Sequence, residues 1–90
     1  MNMKEMDPVE VIVEKECYAK DGVHKGMQGW ICDESVYKDS WLVNFPQYGE
    51  HEDIATIGIE EKDMILLPNG MDAHVNERIK LEMTISDSRE

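Results

Sequence analysis

The chain has 90 residues, which is enough for one domain and too few for two separate cores. It holds 20 acidic against 9 basic residues, a formal charge of −11, with 41% apolar content. That balance disfavours nucleic acid and anionic membranes as partners and argues against wholesale disorder. No apolar run approaches the roughly 18 residues of a membrane span, and Met1–Asp7 lacks the apolar centre of a secretion signal. The expected compartment is therefore the cytoplasm, with Cys17 and Cys32 as reduced thiols. Two cysteines without a second pair exclude a four-thiolate zinc site.

Residues 1–7 read as a flexible leader. Pro8 opens the first strand, in which Val9, Val11 and Val13 alternate with Glu10, Ile12 and Glu14, so that one face is apolar. Lys15 to Lys25 reads as a long loop turning at Asp21-Gly22. Gly26 and Gly29 bracket the start of a second strand that continues through Trp30-Ile31-Cys32, and glycines there mark a bulge or bend. A polar loop over residues 33–39 leads to a third strand, Ser40 to Phe45. There Trp41, Val43 and Phe45 share one face, with Leu42 and Asn44 on the other.

Pro46 ends that pairing, and residues 47–53 form a second polar loop with the acidic cluster Glu50, Glu52 and Asp53. A fourth strand is expected over Ile54 to Ile59, a single 3₁₀ turn over residues 60–63, and a fifth strand over Met64 to Leu67. Pro68-Asn69-Gly70 stops it. In the tail, Ile79, Leu81, Met83 and Ile85 alternate with Arg78, Lys80, Glu82 and Thr84. On a helix these four would be spread around the axis, so the alternation predicts an added strand near residues 77–86. The expected division is a leader over 1–7, a barrel over 8–67 and a C-terminal extension over 68–90 that packs on the barrel.

Five short strands, a long first loop and a 3₁₀ turn before the last strand resemble the SH3-like barrel over about Pro8 to Leu67. Gly26-Met27-Gln28-Gly29-Trp30-Ile31 is similar to the G-x-x-G-x-apolar opening of bacterial SH3-like and KOW-like barrels. The chain also resembles small bacterial SH3-like proteins of the Firmicutes type. The resemblance implies an all-β, five-stranded closed barrel. It does not fix a function, because this architecture serves many unrelated tasks. The paired tryptophans and late Pro–Tyr unit of eukaryotic SH3 peptide grooves are absent, and the acidic balance opposes the RNA contacts usual for KOW domains.

No catalytic arrangement stands out. His24, His51 and His74 are scattered. Acidic neighbours of Cys17 and Cys32 (Glu14, Glu16, Asp33 and Glu34) would raise a thiol pKa, and the strand position of Cys32 predicts a buried apolar thiol. Glu50-His51-Glu52-Asp53 lacks calcium-loop spacing and reads as a solvated cluster. No cofactor or metal is expected. If Ile31 points inward beside Val43 and Val11, Trp30 points outward and Trp41 inward, and the tail is expected to cover the Trp30 face.

The leading expectation is a non-enzymatic protein-interaction module for a cationic or peptide-like partner. Tyr18, Trp30, Tyr37 and Tyr48 would supply contact area, and Asp21, Glu50, Glu52 and Asp53 would attract positive charge. The alternative is an acidic mimic of nucleic acid that inhibits a nucleic-acid-binding protein, of the phage or mobile-element type.

Overall fold

The computed structural model describes residues 3–35, 39–47 and 53–88, with side chains through residue 83. Five strands form one antiparallel sheet: β1 (Pro8–Val11), β2 (Gln28–Glu34), β3 (Ser40–Phe45), β4 (Ala55–Glu60) and β5 (Met64–Leu66). Their order across the sheet is β4-β3-β2-β1-β5. A short helix, α1 (Glu16–Ala19), interrupts the first loop. A 3₁₀ turn over Glu61–Asp63 joins β4 to β5, and α2 (Ala73–Ser88) ends the chain.

The two edge strands are consecutive in sequence, joined by that three-residue turn, yet they lie on opposite edges of the sheet. Val9 and Val11 of β1, Ile31 of β2, Val43 and Phe45 of β3, Ile59 of β4 and Met64 of β5 nevertheless enter one buried cluster. All five strands therefore turn one face toward a shared core. The closed barrel expected from the sequence is not formed by hydrogen bonding, because no β4–β5 ladder joins the edges among the described residues.

Within the sheet the period-2 pattern settles side-chain direction. Ile31 lies opposite Val43, and both are fully buried. Trp30 and Cys32 consequently share the outer face, and Cys32 is exposed. This corrects the expectation of a buried Cys32: a residue next in chain to an inward Ile31 points outward. Cys32 also occupies the bulge where the β2–β3 register shifts between Ile31 and Asp33. Trp41 is half-buried against the core, as its place beside Val43 and Phe45 requires, and its indole N–H donates to Glu61 Oε1 at 3.2 Å.

Met3 is buried in the core cluster, the Met6 N–H donates to the Ile31 carbonyl at 2.7 Å, and the Ile31 N–H donates to the Asp7 carbonyl at 3.0 Å. The described residues before β1 thus prolong its pairing with β2.

The largest departure is the tail. Residues 77–86 belong to α2, not to a strand. Asp72 starts the helix: its Oδ1 accepts from the His74 N–H at 2.9 Å, which satisfies one of the free donors of the first turn. Glu, Arg, Lys, Leu and Met favour helix. The spreading of the apolar residues is real, however. Ala73, Asn76 and Ile79 face the body while Leu81 remains 60% exposed.

What docks the helix is polar. Asn76 is fully buried; its Oδ1 accepts from the Gln28 N–H at 2.6 Å, and its Nδ2 donates to the carbonyls of Gln28 at 2.7 Å and Pro46 at 2.9 Å. The side-chain amide thereby pairs with Gln28 as a neighbouring strand would. Ile79 fits because Gly26, at φ 93°, carries no Cβ; one built there would come within 3.1 Å of Ile79 Cδ1. The extension does pack on the sheet, but it leaves Trp30 37% exposed, so the expected cover over that face is absent among the described residues.

Candidate functional site

The first loop is held against the β4–β5 junction by a buried polar cluster. Tyr18, on α1, is 5% exposed, and its hydroxyl donates to Asp63 Oδ2 at 2.6 Å while accepting from the Glu60 N–H at 3.1 Å. The Lys15 ammonium donates to the same Asp63 oxygen and to Glu60 Oε2, the latter at 2.9 Å. It also lies 5.7 Å above the Tyr18 ring centre, close enough for a cation–π attraction. At the base of the loop, Glu14 accepts from the Lys25 N–H at 2.9 Å and contacts His24 Nδ1 at 2.8 Å.

These contacts set the local electrostatics. Burial by itself would raise the Asp63 pKa, but hydrogen bonds from Lys15 and Tyr18, with the Lys15 charge, outweigh it and hold the carboxyl below its ordinary value. Burial, followed by the hydrogen bond to Asp63, pushes Tyr18 up to about 12. The hydrogen bonds to Asp63 and then Glu60 raise Lys15. Glu14 behaves like Asp63: burial opposes ionisation, but the Lys25 N–H and His24 prevail and lower it.

The sign of the pH dependence follows from linkage. The depressed Asp63 contributes stability at pH values above the ordinary carboxylate range, and this contribution is lost as pH falls through its folded-state value. The raised Tyr18 contributes stability below about pH 10, lost as pH rises toward about 12. Replacing Tyr18 with Phe should cost about 1–2 kcal/mol at neutral pH, because Asp63 loses a donor and the Glu60 N–H an acceptor. Chemical denaturation across pH should show the alkaline decline flattened in Tyr18→Phe and the acid decline flattened in Asp63→Asn. Unchanged profiles in both variants would mean that the cluster does not couple to folding.

The locked loop forms one wall of a surface cleft of about 610 Å³. Cys17, Tyr18, Lys20 and Asp21 line that wall; Ile57, Gly58 and Glu60 of β4 line the other, with Ser35 and Ser40 at one end. Of the residues expected to bind a partner, Tyr18 and Asp21 meet here. Tyr18 is a correction in role: its ring is buried and its hydroxyl engaged, so it shapes the wall and offers little contact area. Trp30 lies on the outer face, opposite Pro8 and Asn44, outside this cleft. Asp53 is exposed and accepts from Asn44 Nδ2 at 2.7 Å. Tyr37, Tyr48, Glu50 and Glu52 lie outside the described residues, and so does most of the acidic cluster.

Cys17 and Ile57 give the cleft an apolar lining that loop composition does not announce. Cys17 and Cys32 are both exposed free thiols. For Cys32, partial desolvation and then the carboxylates of Asp53 and Asp33 push the thiol up, against a lowering hydrogen bond from the Asn44 backbone. That is the opposite of what a nucleophilic thiolate needs. Among the described residues, no three His, Cys, Asp or Glu side chains are grouped to hold a metal ion, and no helix is long and apolar enough to cross a membrane. No family model, curated protein or solved structure matches the chain.

Proposed function

We propose that the protein is a non-enzymatic interaction module of the SH3-like type that binds a cationic, peptide-like segment of a protein partner in the α1–β4 cleft. The strand order β4-β3-β2-β1-β5, the 3₁₀ link between the edge strands and a core drawn from all five strands support the SH3-like reading. The observation that carries the binding reading is the cleft itself, large enough for several side chains and walled by a loop fixed in place through Tyr18, Asp63 and Lys15. A fixed wall lowers the entropy lost when a partner docks. Asp21, exposed on that wall, and the net charge of −11 favour a basic ligand.

Selection from a random-peptide display library should enrich Lys- or Arg-bearing sequences. Amide shift changes caused by an enriched peptide should cluster on residues 17–21, 35, 40 and 57–60. Asp21→Lys, a surface change, should weaken binding by about tenfold, the scale of one favourable charge pair. Enrichment of acidic sequences, or shift changes centred on Trp30, would overturn this reading.

A further inference from the structure

β4 is an edge strand, and its free edge borders the cleft. The β3–β4 ladder fixes which residues of β4 turn their backbone outward. The Glu61 N–H donates to the Asp39 carbonyl at 2.8 Å, which makes Asp39 and Glu61 a hydrogen-bonded couple. In antiparallel pairing such couples alternate, so Trp41–Ile59, Val43–Ile57 and Phe45–Ala55 exchange bonds across β3 and β4. Thr56, Gly58 and Glu60 then direct N–H and C=O away from β3. Two independent contacts agree: the Ser35 N–H donates to the Ser40 carbonyl, turning Ser40 toward β2, and the Glu60 N–H reaches the Tyr18 hydroxyl on the far side.

At Glu60 the outward N–H is thus satisfied by Tyr18. At Gly58 and Thr56 the outward backbone groups have no partner among the described residues. This edge also lacks the usual protections. Natural sheets blunt an edge with short strands, lysine or proline. β5 has three residues and is followed closely by Pro68, whereas β4 has six, Ala-Thr-Ile-Gly-Ile-Glu, with neither lysine nor proline. Gly58 presents no side chain over the opening.

We infer that the cleft takes its partner as an added β-strand: a short, extended, basic segment pairing through Gly58 and Thr56 on the free edge of β4. This rests on the cleft reading above and specifies its mode. The paired stretch is bounded by Tyr18 at Glu60 and by Gly22 beside Ile54, where a Cβ on Gly22 would come within 3.3 Å of Ile54 Cγ2. Residues 55–59 lie between those stops, so at about 3.3 Å per residue an added strand of roughly five residues fits. Side chains of an added strand alternate, so those on the inner side meet Ile57 and Cys17, while those on the outer side stand near Thr56 and Glu60. An apolar residue flanked by basic ones suits that pattern. Asp21 supplies charge from the opposite wall; of the cations nearby, Lys15 is already engaged by Asp63 and Glu60, Lys62 lies 3.8 Å from Glu60, and Lys20 shares the wall of Asp21. A second copy of this chain is disfavoured as occupant, since each would bring a charge of −11.

The probe is a capped Lys-Val-Lys-Val-Lys peptide, with Glu-Val-Glu-Val-Glu and backbone N-methylated Lys-Val peptides as controls. In the unmodified protein, saturating Lys-Val peptide should slow amide hydrogen exchange at Gly58 and Thr56 by about tenfold or more. The N-methylated and acidic peptides should bind about tenfold more weakly. Gly58→Pro deletes one outward N–H without touching the β3 ladder and should weaken binding similarly. If that variant fails to fold, the exchange measurement on the unmodified chain decides alone. Shift changes across the cleft with Gly58 and Thr56 still unprotected would overturn the added-strand mode while leaving the cleft reading intact. No binding, or binding elsewhere, would sink both. Protection that rises with protein concentration in the absence of peptide would identify a second copy and overturn the assignment of a basic partner.

Discussion

Replacing Asn76 with Ala should destabilise the protein by about 3–4 kcal/mol, although it removes only a small surface-helix side chain. The amide makes three hydrogen bonds while fully buried, and its loss leaves the Gln28 N–H, the Gln28 carbonyl and the Pro46 carbonyl unpaired. Each stranded group costs roughly 1–3 kcal/mol, moderated where water enters. Urea unfolding followed by tryptophan fluorescence measures the loss, and helical circular dichroism reports whether α2 undocks first. Asn76→Asp tests the same geometry by charge. It keeps an acceptor for the Gln28 N–H but sets a carboxylate against two carbonyls, so its penalty should shrink as pH falls and the acid becomes a donor. An Asn76→Ala cost below about 1 kcal/mol would show that the helix is held by Ile79 and Ala73 instead.

Gly29→Ala should cost about 3 kcal/mol or more. Gly29 is buried, and its backbone torsions do not require glycine; space does. A Cβ there would collide with the backbone carbonyl oxygen of Asn44, lie 3.1 Å from its carbon and 3.2 Å from the Phe45 ring. Backbone in the centre of a sheet cannot step aside as a flexible side chain can. Gly58→Ala is the matched control. Its Cβ would meet only the Ser35 side chain, at 3.3 Å, on an exposed edge strand, and the expected change is under about 1 kcal/mol. Equal losses at both positions would refute a steric origin.

The strands were legible because half-buried strands write their burial into every second residue. β3 falls at Ser40–Phe45 as the alternation of Trp41, Val43 and Phe45 implies, and the 3₁₀ turn and β5 follow at Glu61 and Met64. α2 was not legible by the same rule. Its docking face depends on Asn76, a polar residue that apolar periodicity cannot see, while Ile79, Leu81 and Met83 alternate without sharing a buried face. The readable signal was Asp72, a capping residue directly before Ala73. The cleft was half legible. Asp21 belongs to it, but Tyr18 turned inward because a buried acid 45 positions away, Asp63, was available to its hydroxyl. No local pattern encodes that partner.

The placement of β1 has a kinetic consequence. It lies between β2 and β5, and its Val9 is opposite Leu66. Of the five described strands, the first in sequence is therefore completed by the last, which follows it by more than fifty residues. Pairings this distant in sequence must overcome their loop-closure entropy before they return any contact energy, which slows the approach to the native state. Until Met64–Leu66 pairs, one edge of Pro8–Val11 lacks its partner, and the net charge of −11 would oppose its pairing with a second copy of the chain.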